Sequence, residues 1–351
     1  MRIAIDAREL RGHPTGVGRY LSQLLEAWNV LPAAAGHEFI MCAPADGAAG
    51  GTRWEQLALP RLIAEARADV FFAPGYTGPL RCPVPMVVAI HDVSFAAHPE
   101  SFRWREGLRR RIRARLSARR AVRVLTISEF SKREIVAHLG IDPGKIKVTY
   151  IAAADRRGAP GMARQPRVLY VGSLFNRRHV QELIEGFTRL SRRRERMTLD
   201  LVGDNRTSPR IDFDQVVSSS GAADRIRIRS YVTEDELASL YAEASALVFL
   251  SEYEGFGLTP LEALAAGVPV VVLDTAVARE IYGDAAVYVP RPDPALVEAA
   301  LERVVFDQVE RARVLDAAPS VLARYSWQAC AATTLEVLVS SAAPLDHHRH
   351  V

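Results

Sequence analysis

A chain of 351 residues, 49% hydrophobic and 25% charged, is long enough for two ordinary domains with separate cores and reads as one soluble, enzyme-sized protein. Its net charge of +4 is concentrated locally, so a partner for the positive charge is to be sought in one segment, and the basic balance does not by itself indicate nucleic acid. Cys42, Cys82 and Cys330 lie far apart with no metal-ligand or redox spacing, which fits a reducing cytoplasm; no signal peptide is expected ahead of the first strand, and no stretch reaches the roughly 20 apolar residues of a membrane span.

In chain order, Arg2 to Asp6 reads as a strand. The stretch Ala7 to Thr15 leads to Gly16, Val17, Gly18, Arg19 and Tyr20, and then to Leu21, Leu24, Leu25 and Trp28 at helical spacing. A glycine-rich loop thus feeds a helix N-terminus. Gly16 and Gly18 either cradle an anion there or only supply unusual dihedrals. Strands follow at Glu38 to Ala43, Val70 to Ala73 and Met86 to Ile90 with helical patterns between them, an alternation that predicts a parallel, doubly wound α/β sheet. His91 and Asp92 stand at the carboxyl end of the last of these, where open α/β sheets collect functional groups. The alternative is a histidine that caps the sheet edge through a backbone bond.

Arg103 to Arg120 holds nine arginines, with Trp104, Leu108, Ile112 and Leu116 four residues apart. This is an amphipathic basic helix. Either its apolar stripe covers the sheet while the arginines face water, or the helix meets an anionic membrane surface; nucleic acid is not expected, since no recognisable motif accompanies the charge. Val122 to Ile127 reads as a strand, Ser128 as a cap, and Glu129 to Leu139 as a helix. After the alternating Ile146, Val148 and Tyr150, the segment Ala152 to Pro166 loses periodicity and collects Gly, Pro, Ala and Arg. The domain boundary is placed there.

The alternation restarts with strands at Val168 to Val171, Leu199 to Val202 and Ile226 with Ile228, and helices at Leu183 to Leu190 and Leu237 to Ala244. The apolar run Ala246 to Leu250 then enters the loop Glu254, Gly255, Phe256, Gly257, with Leu258, Thr259, Pro260, Leu261 and Glu262 opening a helix. Backbone N–H groups and the positive end of the helix dipole form an anion site in such a unit, and the two flanking carboxylates can accept from hydroxyls. A nucleotide sugar offers both chemistries. Strands at Val268 to Leu273 and Val287 to Val289, a helix from Leu296 and a last helical pattern at Trp327 to Val339 complete the chain, beyond which Asp346 to His350 read as a loose end. Asp212, Phe213 and Asp214 spell an acid-x-acid triplet, here read as a polar loop or helix start with no metal bound.

The run Glu254 to Glu262, continued by Ala263 to Val271, resembles the signature of the retaining group 1 glycosyltransferases of family four, which have the two-domain GT-B fold. Thr15 to Tyr20, His91 with Asp92, Ile127 to Lys132, Tyr170 to Leu174 with Arg177 and Arg178, Gly203, Tyr231 to Leu240 and Gly283 to Val289 look like its other landmarks in order. The resemblance implies two Rossmann-like α/β domains facing a central cleft. Residues 1–155 would form the acceptor domain, residues 166–321 the nucleotide-sugar donor domain, and a C-terminal helix at about 327–341 would pack back on the first.

By the same resemblance Glu254 faces the donor sugar hydroxyls, backbone N–H groups of Phe256, Gly257 and Leu258 meet the pyrophosphate, Gly255 belongs to the same donor-binding loop, and Glu262 accepts from the ribose. Arg178, assisted by Arg177, neutralises the diphosphate leaving group, while His91 touches the donor hexose. Gly16, Gly18 and Ser173 complete the donor contacts. The implied reaction moves a hexose from GDP-mannose or a UDP-sugar to a glycan or lipid-linked acceptor with retention, needs no metal or other cofactor, and occurs in the cytoplasm or at the inner membrane face. Three positions depart from the family: Ser173 stands where many members have Arg, Arg178 where many have Lys, and His179 where many have Gly. A nucleotide-sugar 2-epimerase of the same architecture and a non-catalytic nucleotide-sugar-binding subunit are the alternative readings.

Overall fold

The computed structural model of the chain describes residues 1–11, 16–45, 50–154 and 165–342. The expectations at Thr15, within 155–164 and at Asp346 to His350 lie outside these residues. The chain divides into two compact units, Met1–Ile151 with Tyr325–Val351, and Ala152–Arg324.

In the first unit, strands β1 (Arg2–Asp6), β2 (Glu38–Cys42), β3 (Val70–Ala73), β4 (Met86–Ala89), β5 (Arg123–Thr126) and β6 (Ile146–Val148) alternate with helices α1 (Val17–Val30), α2 (Leu59–Glu65), α3 (Ser94–Ala97), α4 (Trp104–Arg120) and α5 (Glu129–Leu139). The described strands form a parallel sheet in the order β2-β1-β3-β4-β5-β6. Every residue of β3 and β4 is buried, which is why both are unbroken apolar runs rather than alternating ones: helices cover both faces. The C-terminal helix Trp327–Ala342 belongs to this unit, and Trp28 Nε1 of α1 donates to its Ala331 carbonyl at 2.9 Å. Ser128 caps α5 by accepting from the Ser131 N–H at 2.9 Å. Strand order reverses between β1 and β3, so the crevice of this sheet opens past Asp6 and Ala73.

Helix α4 corrects one of the two readings of its stripe. The residues it buries are the small ones, Gly107, Ala114, Ser117 and Ala118, while Trp104, Leu108, Ile112 and Leu116 are exposed. The apolar stripe does not cover the sheet. Arg113 points inward, its Nη2 donating to Glu55 Oε1 at 2.7 Å. The completely buried Glu55 also receives Arg8 Nη2 at 2.8 Å and Thr77 Oγ1 at 2.7 Å, and Arg8 in turn pairs with buried Asp6. Burial works against a charged Glu55, yet Thr77, Arg8 and Arg113 together hold its carboxyl below the ordinary carboxylate value.

The second unit contains β7 (Arg167–Val171), β8 (Thr198–Val202), β9 (Ile226–Arg229), β10 (Ala246–Phe249), β11 (Val270–Leu273) and β12 (Val287–Val289), with α6 (Val180–Ser191), α7 (Phe213–Ser220), α8 (Glu234–Glu243), α9 (Leu258–Ala265), α10 (Ala276–Tyr282), α11 (Pro294–Phe306) and α12 (Gln308–Leu322). Its described strands run parallel in the order β12-β11-β10-β7-β8-β9. The order reverses between β7 and β10, so a crevice opens where the loops after these two strands diverge. Asp212 is the N-cap of α7, its carboxylate accepting from the Gln215 N–H at 3.1 Å, and Asp214 lies in the first turn: the acid-x-acid triplet serves a helix start.

Candidate active site

At the switch point of the second sheet, the loop after β7 carries Ser173, Arg177 and Arg178 and the loop after β10 carries Ser251 to Gly257. Arg178 Nε and Nη2 both donate to Glu254 Oε1, at 3.0 and 2.7 Å, and Arg178 Nη1 donates to the Ser173 carbonyl at 2.9 Å. Phe249 lies under the guanidinium, 4.8 Å from its carbon to the ring centroid. Burial acts to lower the Arg178 pKa, but the Glu254 carboxylate and the Tyr170 hydroxyl more than reverse this and keep it above its ordinary value. Tyr170 itself is pushed by burial up to about 12, so it stays a neutral phenol, and its hydroxyl donates to the Ser173 carbonyl at 3.0 Å.

Glu254 is used asymmetrically. Its Oε1 accepts from Arg178 twice and from Ser251 Oγ at 2.8 Å, while its Oε2 accepts from none of the described residues. The carboxylate is held in place through one oxygen with the other left to accept from a ligand. Arg177 runs alongside: its Nε donates to the Tyr253 carbonyl at 3.3 Å and its own carbonyl accepts from the Glu252 N–H at 3.0 Å. The two loops are therefore laced together by side chain and backbone.

Gly257 is the N-cap of α9, at φ 89°, a left-handed conformation, and no side chain caps this helix. A Cβ at this position would run into the Tyr282 hydroxyl, which donates to the Gly257 carbonyl at 2.8 Å. Only glycine brings the backbone through here, and the N–H groups at the start of α9 follow at Leu258. Phe256 is buried and anchors the turn, and Gly255 precedes it. Glu262, in the second turn of α9, accepts from the Tyr241 hydroxyl at 3.3 Å. Past the carboxyl ends of β8 and β9, next to Gly203, a cavity of about 440 Å³ is lined by Leu174, Asn205, Arg210, Phe213 and Ser230 among others.

Gly16, Gly18 and His91 belong to the first unit and are brought together there. Gly16 caps α1 at φ 40° and Gly18 is buried within the helix. From the same first turn Tyr20 sets its ring edge-on to His91 at 4.6 Å between centroids, and Tyr76 faces the other side at 5.6 Å. His91 Nε2 lies 2.9 Å from the Pro74 carbonyl. Because a carbonyl only accepts, Nε2 carries the proton and Nδ1 is the acceptor. Burial holds the imidazole below its ordinary pKa, so it is neutral at pH 7. Asp92 is occupied structurally, accepting from the Tyr76 hydroxyl at 2.9 Å and the Ser94 N–H at 2.8 Å.

Ser251, Tyr241, Tyr282 and Phe249 are not among the residues that the sequence assigns to the site, and Tyr170 enters there only as the start of a landmark. Phe249 and Tyr170 lie at the ends of the strands that lead into the two loops, and Ser251 lies within the second loop, whereas Tyr241 and Tyr282 act from helices more distant in the chain. His179, the residue departing from glycine, takes the left-handed conformation glycine prefers, φ 50° and ψ 43°, and its imidazole lies 2.9 Å from Glu252 and 3.3 Å from Glu182.

Residues 165–307 match the family described as Glycosyl transferases group 1, and residues 14–152 match Glycosyltransferase Family 4. The O-antigen chain mannosyltransferase B of Escherichia coli is 28% identical over 294 residues, covering 79% of this chain and 76% of that protein. The glycogen synthase of Mycobacterium tuberculosis strain H37Rv is 31% identical over 270 residues, 74% of this chain and 64% of that protein. Among solved structures, Anabaena HepE, crystallised with UDP and glucose, superposes with a TM-score of 0.73 at 18% identity over 97% of this chain and 99% of that one, a likeness of fold. Both halves of the sequence and the two parallel sheets thus lead to one assignment: the chain belongs to the group 1 glycosyltransferases of family four, enzymes built on the α/β GT-B fold.

Proposed function

We propose that the chain transfers a hexose from a nucleotide diphosphate sugar, GDP-mannose or a UDP-sugar, to a glycan or lipid-linked acceptor with retention at the anomeric carbon, in the cytoplasm. The observation that carries the reading is the half-used Glu254 carboxylate locked to Arg178 at the sheet's switch point. The names of the relatives support the sugar-transfer class, and the nucleotide and hexose bound by HepE support the donor class.

In this reading the free Glu254 oxygen accepts from hexose hydroxyls, and the N–H groups at the start of α9 meet the diphosphate. Arg178, with Arg177 beside it, carries the charge that develops on the diphosphate as the glycosidic C–O bond breaks. The new C–O bond forms on the same face of the sugar, and the acceptor hydroxyl's proton passes to the departing diphosphate. Leaving-group stabilisation is assigned to these groups and not to a metal or other cofactor. Glu262 accepts from the ribose. From the first unit, neutral His91 offers Nδ1 to a sugar hydroxyl, and the start of α1 at Gly16 and Gly18 supplies backbone N–H groups.

A thermal-shift screen of nucleotide sugars finds the donor, since a ligand at 100 times its Kd adds about 2.7 kcal/mol to stability. Incubation with that donor and an acceptor series should release nucleoside diphosphate only when an acceptor is present. A new nucleotide sugar formed from donor alone would establish the epimerase instead, and wild-type transfer by Arg178→Ala and Glu254→Ala would refute the assigned site.

A further inference from the structure

The outward face of α4 is unlike the rest of the first unit. Trp104 is 71% exposed, Leu108 49%, Ile112 47% and Leu116 41%, one stripe of large apolar side chains four residues apart. With about 1.5 Å of rise and 100° of turn per residue, the stripe is roughly 18 Å long and drifts through about 120°, so a plane laid along the helix meets all four. Rotation of the helix is fixed by its inward face: Gly107, Ala114, Ser117 and Ala118 are buried, Ser117 Oγ accepts from the Gly78 N–H at 3.1 Å, and Arg113 is tied to Glu55.

Arginines flank and interleave the stripe. From Arg103 to Arg120 the chain carries nine arginines and one acid, Glu106, which pairs with Arg110 at 2.6 Å. Arg113 is committed inward, Arg111 donates to the His138 carbonyl and Arg120 to the carbonyls of Leu80 and Cys82. Arg105 stacks on Trp104. Arg103, Arg109, Arg115 and Arg119 are exposed, and their guanidinium groups make no hydrogen bond or ion pair among the described residues, though the Arg119 carbonyl accepts from Lys145 Nζ at 2.7 Å. Large apolar side chains and uncompensated cations in one plane suit a surface that is anionic outside and apolar a few ångströms below. No described helix is long and apolar enough to cross a membrane, so the contact belongs at its surface.

We propose that α4 docks on an anionic lipid surface, with Trp104, Leu108, Ile112 and Leu116 entering the headgroup boundary while Arg105, Arg109, Arg115 and Arg119 meet lipid phosphates. The proposal stands apart from the reaction assigned above and uses none of its residues. It is tested on the full chain by co-sedimentation with vesicles of phosphatidylcholine containing 30% phosphatidylglycerol, against phosphatidylcholine alone. The chain should partition onto the anionic vesicles only, less so as salt rises. Arg109→Gln with Arg115→Gln and Arg119→Gln should weaken this about 100-fold, at roughly fivefold for each cation near the surface. Leu108→Ser with Ile112→Ser should weaken it about tenfold or more. All these side chains are exposed, so the thermal midpoint and donor binding measured without vesicles should stay at wild-type values; a loss of either would contradict the placement of this face as a free surface apart from the reaction and would overturn the proposal. Equal partition on both vesicle types, none on either, or indifference to both sets of substitutions would overturn the proposal. So would a dimer in solution that the Leu108 and Ile112 substitutions dissolve while vesicle partition persists.

Discussion

The two sheets share an architecture but treat charge at their switch points in opposite ways. Past β7 and β10, Arg178 and Glu254 are tied by one carboxylate oxygen, the other oxygen is left open, and the adjoining helix start has no side-chain cap. Past β1 and β3, Asp6, Arg8, Glu55 and Arg113 satisfy one another, two cations against two acids, and beside His91 stand the rings of Tyr20 and Tyr76 and an Asp92 carboxylate that accepts from Tyr76 and Ser94. One unit leaves a carboxylate oxygen without a partner among the described residues, and the other pairs its charges with one another. The same parallel sheet therefore carries an open ion pair at one edge and a closed network at the other.

The largest loss of stability should follow removal of a charge from the closed network. Glu55→Gln leaves the half-buried Arg113 without its carboxylate and Arg8 with Asp6 alone, which should cost about 2 to 4 kcal/mol of stability by urea unfolding. Because the native Glu55 pKa is lowered, its contribution is complete above the ordinary carboxylate range and is lost as pH falls through the lowered native value. The wild-type advantage over Glu55→Gln should shrink accordingly in acid. A substitution costing less than about 1 kcal/mol would show that the network is not closed.

At the open edge the loss should appear in rate as well as in folding. Arg178→Ala should lower transfer about 100- to 1,000-fold, the range for losing one preorganised group at developing charge, and should also lower the unfolding midpoint, because Glu254 loses its cation in a largely buried setting. His91→Ala should cost about tenfold, one hydrogen bond from a neutral ring. If His91→Ala proved the more damaging of the two, the chemistry would lie on the first unit's edge, contrary to the contrast drawn here.

A second pair of variants compares backbone instead of charge. Gly257→Ala drives a methyl group into the Tyr282 hydroxyl and forces alanine to φ 89°, whereas Gly16→Ala at φ 40° meets nothing within 4 Å. The first should cost roughly 1 to 3 kcal/mol and abolish donor-dependent stabilisation, and the second about 1 kcal/mol from the dihedral alone. Similar donor affinities for the two variants would mean that the close passage at Gly257 has no bearing on binding.

How much of this was visible in the sequence depends on how local the cause is. The parallel class was legible because unbroken runs such as Val70 to Ala73 and Val270 to Leu273 record burial on both faces. The donor loop was legible because its acids, glycines and helix start are consecutive. The lock between Arg178 and Glu254 spans 76 residues and that between Tyr282 and Gly257 spans 25, and no pattern at either end announces the partner. In α4 the period of four showed a stripe but not its direction. The inward face is made of Gly107, Ala114, Ser117 and Ala118, whose small side chains carry little hydropathy signal, and close approach to the unit rather than apolarity decided the rotation.

The smallest effect lies at the departure from the family pattern. His179 sits at φ 50° where glycine would be unstrained, at a cost of roughly 1 kcal/mol, and in exchange its ring joins Glu182 to Glu252 on the loop that carries Glu254. Burial lowers its pKa, but the two carboxylates more than reverse this and leave it raised. The stabilisation from the protonated ring is therefore complete below about pH 6.5, the ordinary histidine value, and is lost as pH rises through the raised native pKa. His179→Gly removes strain at every pH and the ion pairs only where they exist. Urea midpoints should show the variant no more stable than wild type at pH 6 and more stable by up to about 1 kcal/mol at pH 9. A difference that does not change with pH would mean that the imidazole contributes no charge-dependent link between the two loops, and that the open edge owes its order to the Arg177 and Arg178 contacts alone.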